Sequence, residues 1–224
     1  MDWNAIILTT KLAALTSITL LIIGLPIAYW LSFSKWRLKF LAEAIVALPL
    51  VLPPTVLGFY ILVAIGPKSP LGSLWENLTG GHLVFSFGGL LIASVLYSMP
   101  FAVQSFVSSF NALDRRLIEA AWTLGASRIK TLFTIMIPLS VSGIITGIVL
   151  SFAHTMGEFG VVLMVGGNIP GVTRTASIDI YDKVQALDYT SAGQTALFLL
   201  IVSFATLSVV YGFNKKGRNV WPSK

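Results

Sequence analysis

The chain has 224 residues, of which 55% are hydrophobic and only 11% are charged, and its mean hydropathy is +0.84. Soluble domains carry about 25% charged residues, so this composition excludes a soluble protein and predicts an integral membrane protein. The net charge of +6 does not indicate nucleic-acid binding, because Lys and Arg collect in the cytoplasmic loops of membrane proteins. The absence of cysteine excludes disulfides and thiolate metal sites, and two histidines are too few for a His-rich metal site.

Five apolar runs are each long enough to cross a bilayer, which takes about 20 residues. The first run lacks the features of a cleaved signal peptide, so we expect it to be retained. The sequence therefore predicts one all-α transmembrane domain, residues 1–224, with about five transmembrane helices and no second domain. The predicted spans are 5–33, 38–65, 85–113, 131–156 and 192–213.

The second run contains three prolines and a glycine at membrane depth. Each proline removes a backbone N–H and frees a carbonyl, and freed groups are tolerated in a membrane only inside protein or beside water. This pattern favours a lining of a translocation passage, with a packed kink as the alternative. The candidate passage residues are Pro49, Pro53, Pro54, Thr55 and Gly58. Residues 66–83, which follow, are predicted to form a polar loop.

A charged insertion, residues 114–130, separates the third and fourth runs. Asp114 can cap a helix at its N-terminus, and Gly125 can end that helix in a left-handed conformation. Ser127 can then cap the helix that re-enters the membrane. Amphipathic spacing alone is equally typical of an interfacial linker. The predicted apolar face consists of Leu117, Ile118, Ala121, Trp122 and Leu124.

Glu158 interrupts the end of the fourth run, in the sequence Gly-Glu-Phe-Gly. A carboxylate near the membrane is costly and is usually functional or paired. The sequence leaves two interpretations open: a residue of the passage, or a structural group that caps a helix or pairs with Arg174 or His154. His154 by itself is more typical of a satisfied polar residue than of a ligand.

The segment 165–175 is a loop of glycine and small polar residues. Its N–H groups and Arg174 could meet an anion, so Asn168, Thr173 and Arg174 form a candidate outer anion funnel, with an ordinary surface loop as the alternative. A short surface helix is predicted around Ile178. The chain contains no phosphate-binding loop of the Walker type, so it cannot hydrolyse ATP by that route.

The distribution of cations predicts the orientation. With the N-terminus outside, 11 of the 15 Lys and Arg residues fall in inside segments, including the insertion and the basic tail, residues 214–224. The positive-inside rule then puts the C-terminus and the insertion in the cytoplasm.

The insertion resembles a known signature. Glu119-Ala120-Ala121, then Gly125, and Ile135-Met136-Ile137-Pro138 are similar to the Glu-Ala-Ala motif of bacterial ABC importer permeases, with Ile137 where the family usually has Leu. That resemblance implies a cytoplasmic coupling helix that docks into the ATP-binding subunit. The coupling residues it implies are Glu119, Ala120, Ala121, Gly125, Ala126 and Arg128.

Further segments resemble the permeases for molybdate, with tungstate and sulfate permeases sharing much of the pattern. They are residues 48–58, 121–126, 133–138, 157–160 and 168–175. The family implies an inner-membrane protein of bacteria with two copies forming the pore, two ATP-binding subunits that hold ATP and Mg²⁺, and a periplasmic oxyanion-binding protein. This chain would itself bind no cofactor and no nucleic acid.

The resulting hypothesis is a non-enzymatic pore subunit for molybdate, with tungstate or sulfate and thiosulfate as alternatives. The rival is a membrane enzyme or assembly factor. An intramembrane protease would need paired Asp residues or a Ser–His pair at depth. No acid pair lies within a predicted span, and Ser151 is the only serine close to His154 in the sequence.

Overall fold

The computed structural model describes residues 1–218, with side chains described to residue 212, and shows an all-helical chain. A π-helical turn spans Leu132–Met136. The side chains of the predicted basic tail lie outside this described part. The helices are α1 (Trp3–Phe33), α2 (Lys39–Val51), α3 (Pro54–Ile65), α4 (Pro70–Thr79), α5 (Phe87–Asn111), α6 (Arg115–Thr123), α7 (Arg128–Thr131), α8 (Ile137–Leu139), α9 (Val141–Met156), α10 (Gly160–Gly166), α11 (Ala176–Gln185) and α12 (Tyr189–Arg218).

Among the described residues, three helices, α1, α5 and α12, are each long and apolar enough to cross a membrane. Two further crossings are possible if each bent helix pair counts as one span: α2 with α3, bent by 115°, and α7–α8 with α9, bent by 75°. The second and fourth apolar runs are therefore broken, as the prolines of the second run indicate, whereas the sequence did not predict the bend in the fourth run.

The prolines explain both bends. Pro53 and Pro54 lack an N–H, and proline pushes the residue before it into an extended conformation. Leu52 has φ −70° and ψ 137°, so α2 ends there, and Pro54 starts α3 at its first position. In the fourth run, Pro138 cannot donate to the carbonyl four residues earlier, and a π-helical turn and the bend at Ser140 surround it.

The core shows that the pair α2 and α3 runs along the whole of α5. Val46 of α2 packs in a cluster with Phe106 and Phe110, which lie near the end of α5. Ile61 and Ile65 of α3 pack instead with Ala93, near the start of α5. Because α5 is about 37 Å long at 1.5 Å per residue, the broken pair links opposite ends of the bundle.

Small residues let the central helices approach closely, as is common in membrane bundles. A Cβ atom on Gly143 of α9 would lie 2.4 Å from Ser109 Cβ of α5, and one on Gly147 would lie 2.7 Å from the Phe106 ring. The core thus consists mainly of α1, α5 and α9 with α2 at one end and α3 and α10 at the other.

Two segments differ from the prediction. The expected loop 66–83 contains a helix, α4, which Ser69 caps by accepting from the Gly72 N–H at 2.9 Å and which ends at the left-handed Gly80. The expected surface helix exists as α11, but Ile178 is fully buried there. The Thr9 hydroxyl of α1 accepts from the Ala176 N–H at 2.8 Å, which anchors the start of α11 to the bundle.

Candidate functional site

The insertion folds as a capped helix, a turn and a second helix, as the sequence predicted. Asp114 Oδ1 accepts from the Arg116 N–H at 2.9 Å, and Ser127 Oγ accepts from the Lys130 N–H at 3.2 Å. Gly125 has φ +83°, a left-handed torsion that side chains with a Cβ rarely adopt. Its N–H donates to the Trp122 carbonyl at 3.0 Å, which closes the turn.

The predicted apolar face of α6 is divided between the protein and its surroundings. Ile118 and Ala121 are buried, and Ile118 belongs to the same core cluster as Phe110 and Met136. Leu124 is 88% exposed, and Leu117 and Trp122 are also exposed. The helix is therefore fixed to the bundle by one edge, and a second apolar edge is left without a partner in the described chain.

Helix α6 also exposes residues beside this apolar edge. Glu119 and Ala120 are exposed, and no ion pair within 4 Å joins Glu119 to Arg115, although four residues separate them. Arg128 lies over the Trp122 ring at 5.9 Å. Within the described part of the chain, no cation pairs with the carboxylate of Glu119.

The break between α2 and α3 exposes only part of the predicted passage. Pro53, Pro54 and Thr55 are exposed, whereas Pro49 and Gly58 are buried. A Cβ on Gly58 would lie 2.7 Å from Met164 Cβ, and one on Gly160 would lie 2.7 Å from Pro54 Cβ. The two glycines therefore serve the close crossing of α3 with α10, and they do not line an open passage in this conformation.

Glu158 lies in the break between α9 and α10 and is 4% exposed. Neither carboxyl oxygen has a hydrogen-bond partner among the described residues. The Ser94 hydroxyl is close to the carboxyl, but no hydrogen bond of good geometry joins them. The expected pairing with Arg174 or His154 is wrong, because both of those side chains bind elsewhere, and Glu158 does not face an open passage.

The candidate outer funnel is held by contacts within its own loop. Arg174 Nε donates to Asn168 Oδ1 at 2.7 Å, and Arg174 Nη2 lies 3.4 Å from Asp182 Oδ2. Thr173 is fully buried and its hydroxyl accepts from the Ile169 N–H. The N–H groups of residues 172–174 all donate to the Ile169 carbonyl. In this conformation the Arg174 guanidinium and these N–H groups are therefore occupied by contacts within the protein and do not face an anion site.

A polar groove that sequence reasoning missed lies between α5 and α9. Its cavity volume is about 520 Å³. Gln104, Ser108 and Ser142 are exposed, although they belong to helices of the apolar bundle. We call this feature the inner polar groove, and it is lined by Gln104, Ser105, Ser108, Ser109, Ala112, Ser142, Gly143 and Thr146. The signal in the sequence was four polar residues at helical spacing, positions 104, 105, 108 and 109, within one apolar run.

The comparison with protein families decides what this arrangement is. A family described as "Binding-protein-dependent transport system inner membrane component" matches residues 20–216, most of the chain. The chain belongs to this family. It is thus the non-catalytic membrane component, or permease, of a transport system that works with a binding protein and an ATPase.

Relatives and a solved structure are consistent with that assignment. The permease is 51% identical to the molybdenum transport system permease protein ModB of Azotobacter vinelandii, over 94% of this chain and 93% of the relative. It is 34% identical to ModB of Escherichia coli K12, over 93% and 91%. A chain of the methionine ABC transporter MetNI, in an inward-facing conformation, matches with a TM-score of 0.74 and 14% identity, over 99% and 100%. The fold is that of an ABC importer permease.

One contact in the permease bears on the rival enzyme. Ser98 Oγ lies 3.0 Å from His154 Nδ1 and 2.9 Å from Thr155 Oγ1, so a Ser–His pair exists that the sequence did not predict. Ser98 is fully buried, and the His154 ring packs against Tyr97 and Phe101. A substrate has no access to this serine, and the pair ties α5 to α9. His154 is the satisfied polar residue that the sequence predicted.

Proposed function

We propose that this permease is the pore-forming subunit of an ABC importer that carries molybdate across the inner membrane. The observation that carries the proposal is its similarity, over nearly its full length, to permeases that are named for molybdenum transport. The charge pattern supports an orientation with the N-terminus outside and with the C-terminus and α6 in the cytoplasm.

The assembly we propose contains two copies of this chain, two ATP-binding subunits and a periplasmic oxyanion-binding protein. The exposed apolar edge of α6 supports the contact with the ATP-binding subunit. A nine-residue helix is only about 13 Å long and is marginal on its own. A cleft that covered Leu117, Trp122 and Leu124 would remove from water the apolar surface that the bundle leaves free.

The packing of α6 supports its coupling role. Ile118 is 3% exposed and shares its cluster with Phe110 of α5 and Met136 of the π-helical turn. A displacement of α6 by the ATP-binding subunit would therefore move the ends of two membrane helices and would not be absorbed by a flexible loop. Glu119, Ala120, Ala121, Gly125, Ala126 and Arg128 are the coupling residues in this proposal.

For the translocation pathway we propose two exposed features, Pro53–Pro54–Thr55 at the α2–α3 break and the inner polar groove. Polar side chains on membrane helices face water or protein and rarely face lipid, which favours the groove as a water-filled passage. Hydroxyl and amide groups without a fixed cation can bind an oxyanion weakly enough to release it. Pro49, Gly58 and Glu158 support this path by packing.

We also propose that Asn168, Thr173 and Arg174 contact the anion on the outer side of the membrane, after their loop has changed conformation. The guanidinium of Arg174 would have to leave Asp182, and the Ile169 turn would have to open, before either met an anion. Docking of the binding protein is the step at which such an opening would occur.

The test uses the permease, its ATP-binding subunit and its binding protein, reconstituted together in proteoliposomes. Molybdate-loaded binding protein should stimulate ATP hydrolysis and produce ATP-dependent molybdate uptake. Tungstate, sulfate and thiosulfate are compared at equal concentrations, and greater uptake of any of them would reassign the cargo. A permease that purifies without an ATPase and takes up none of the four anions would contradict the proposal.

A further inference from the structure

An apolar groove lies at the end of the bundle opposite the coupling helix. It runs between the last turn of α3, the start of α4 and the segment before α5, and its cavity volume is about 870 Å³. Val63, Leu71 and Phe85 all line it and are all more than half exposed. The groove continues the exposed apolar surface of α3, which also includes Phe59 and Tyr60, and we expect a surface of this character to face lipid.

Helix α4 carries a second exposed apolar surface beside this groove. Leu71, Leu74, Trp75 and Leu78 follow the spacing i, i+3, i+4 and i+7, which puts them on one face, and all four are exposed. Ser73 lies on the opposite face. A short amphipathic helix with a Trp, directly after a membrane helix, is typical of an element that lies in the plane of the membrane interface.

The walls of the groove are held in place. A Cβ on Gly72 of α4 would lie 2.0 Å from the Gly66 carbonyl oxygen, so the two helices meet backbone to backbone. Phe85 has φ +58°, an unfavourable torsion for a bulky residue, and its N–H donates to the Val165 carbonyl at 3.0 Å. The torsion turns the Phe85 ring into the groove, and strain of this kind is often kept at ligand sites.

Lys68 gives the groove a positive charge at its rim. It lines the cavity and has no carboxylate within 4 Å among the described residues. The other titratable groups of this region, Glu76 and His82, lie 3.4 Å from each other. An apolar groove with one free ammonium group at the membrane surface matches a molecule with an acyl chain and a phosphate.

We propose that this groove is a phospholipid-binding site. One acyl chain lies between α3 and α4 against Val63, Leu71 and Phe85, and the headgroup phosphate contacts Lys68. The apolar face of α4 then rests in the boundary between headgroups and acyl chains. The site does not depend on which anion the permease carries.

The test places a fluorescent bimane label at Leu71→Cys, in a chain that has no other cysteine. The complete transporter is reconstituted in nanodiscs that contain either phosphatidylglycerol or diacylglycerol with the same brominated acyl chains, which quench a label in contact. We expect quenching at Leu71 to be roughly threefold stronger with the phosphatidylglycerol, the preference that one surface ion pair can give. A label at Ser73→Cys, on the opposite face of α4, should be quenched little by either lipid.

Variants of two lysines separate the headgroup contact from general surface charge. Lys68→Ala should equalise quenching by the two lipids, whereas Lys11→Ala, a lysine that contacts Phe87 at the same end of the bundle, should leave the preference intact. Equal quenching in the parental protein would overturn the phosphate contact. Absence of quenching at Leu71, with cross-linking to a second copy or protection by the binding protein, would show that protein fills the groove.

Discussion

At the scale of single residues, Gly125 sets the shape of the coupling helix. A β-branched residue at φ +83° should cost roughly 1–2 kcal/mol or more in torsional strain, although the space around this Cα is open. We expect Gly125→Val to reduce co-purification of the ATP-binding subunit and anion uptake severalfold, at normal membrane abundance. Gly80→Val is the matched control, because Gly80 also has a left-handed torsion, φ +73°, and open surroundings, but it ends α4 at the other end of the bundle. Equal effects of both variants would contradict a specific role for Gly125.

Glu119 offers a test of electrostatic docking. Its side chain is exposed and makes no ion pair among the residues whose side chains the structure describes, so reversing its charge should hardly affect folding. We expect Glu119→Lys to weaken association with the ATP-binding subunit, or to leave it bound but uncoupled from transport. Binding and uptake are measured at matched membrane abundance. Parental values of both would mean that the insertion is only a linker.

The buried position of Glu158 predicts which substitutions the protein tolerates there. The side chain fills a buried site in which no cation faces it among the described residues. We therefore expect Glu158→Gln, which keeps the shape, to retain expression and uptake to within about twofold. Glu158→Lys should lose the folded protein, because burying an unpaired charge costs several kcal/mol. Loss of uptake by a normally folded Glu158→Gln variant would instead assign the carboxylate a direct role in transport.

At the scale of helices, local signals were the most predictable. Asp114, Gly125 and Ser127 could be recognised because caps and left-handed turns depend on neighbouring residues alone. Hydropathy likewise predicted the apolar runs. The bends of 115° and 75° could not be read from hydropathy, because a window of apolar residues is the same whether the helix is straight or broken.

Contacts between distant helices were less predictable. The partners of His154 and Arg174 are Ser98 and Asp182, which only the fold brings close. Helix α4 was missed because Gly and Pro at residues 66–72 are typical of loops, yet Pro70 occupies the first position of a helix, where its missing N–H has no cost. The inner polar groove could not be predicted either, because it forms only where α5 and α9 pack together.

The close crossing of α3 with α10 can be tested through Gly160. A larger side chain there would collide with the Pro54 ring, which cannot change rotamer to make room. Overpacking of this kind typically costs about 1–3 kcal/mol, so Gly160→Val should lower the thermal midpoint of the purified transporter and reduce uptake. Gly193→Val, in the open surroundings of α12, serves as the control. An unchanged midpoint for Gly160→Val would show that α3 and α10 separate freely.

At the scale of the whole molecule, the two ends of the bundle differ in what they expose. One end carries α6, with apolar residues and Glu119 free for a protein partner. The opposite end carries α4 and the loop of residues 166–175, whose charged groups are largely paired within the chain. This asymmetry agrees with the cation count, because an energy-coupling partner is expected only on the cytoplasmic side.

The orientation that we propose from the cation count can be measured directly. The chain has no native cysteine, so single cysteines can be introduced without other changes. Val172 is 45% exposed and is a better outside position than Thr173, which is fully buried. In intact spheroplasts, a membrane-impermeant maleimide should label Val172→Cys and Asn77→Cys but should label Arg116→Cys only after permeabilisation. After permeabilisation the reagent should label all three cysteines, which controls for the accessibility of each site. Labelling of Arg116→Cys in intact spheroplasts would place α6 outside, away from any source of ATP, and would overturn both the orientation and the coupling role built on it.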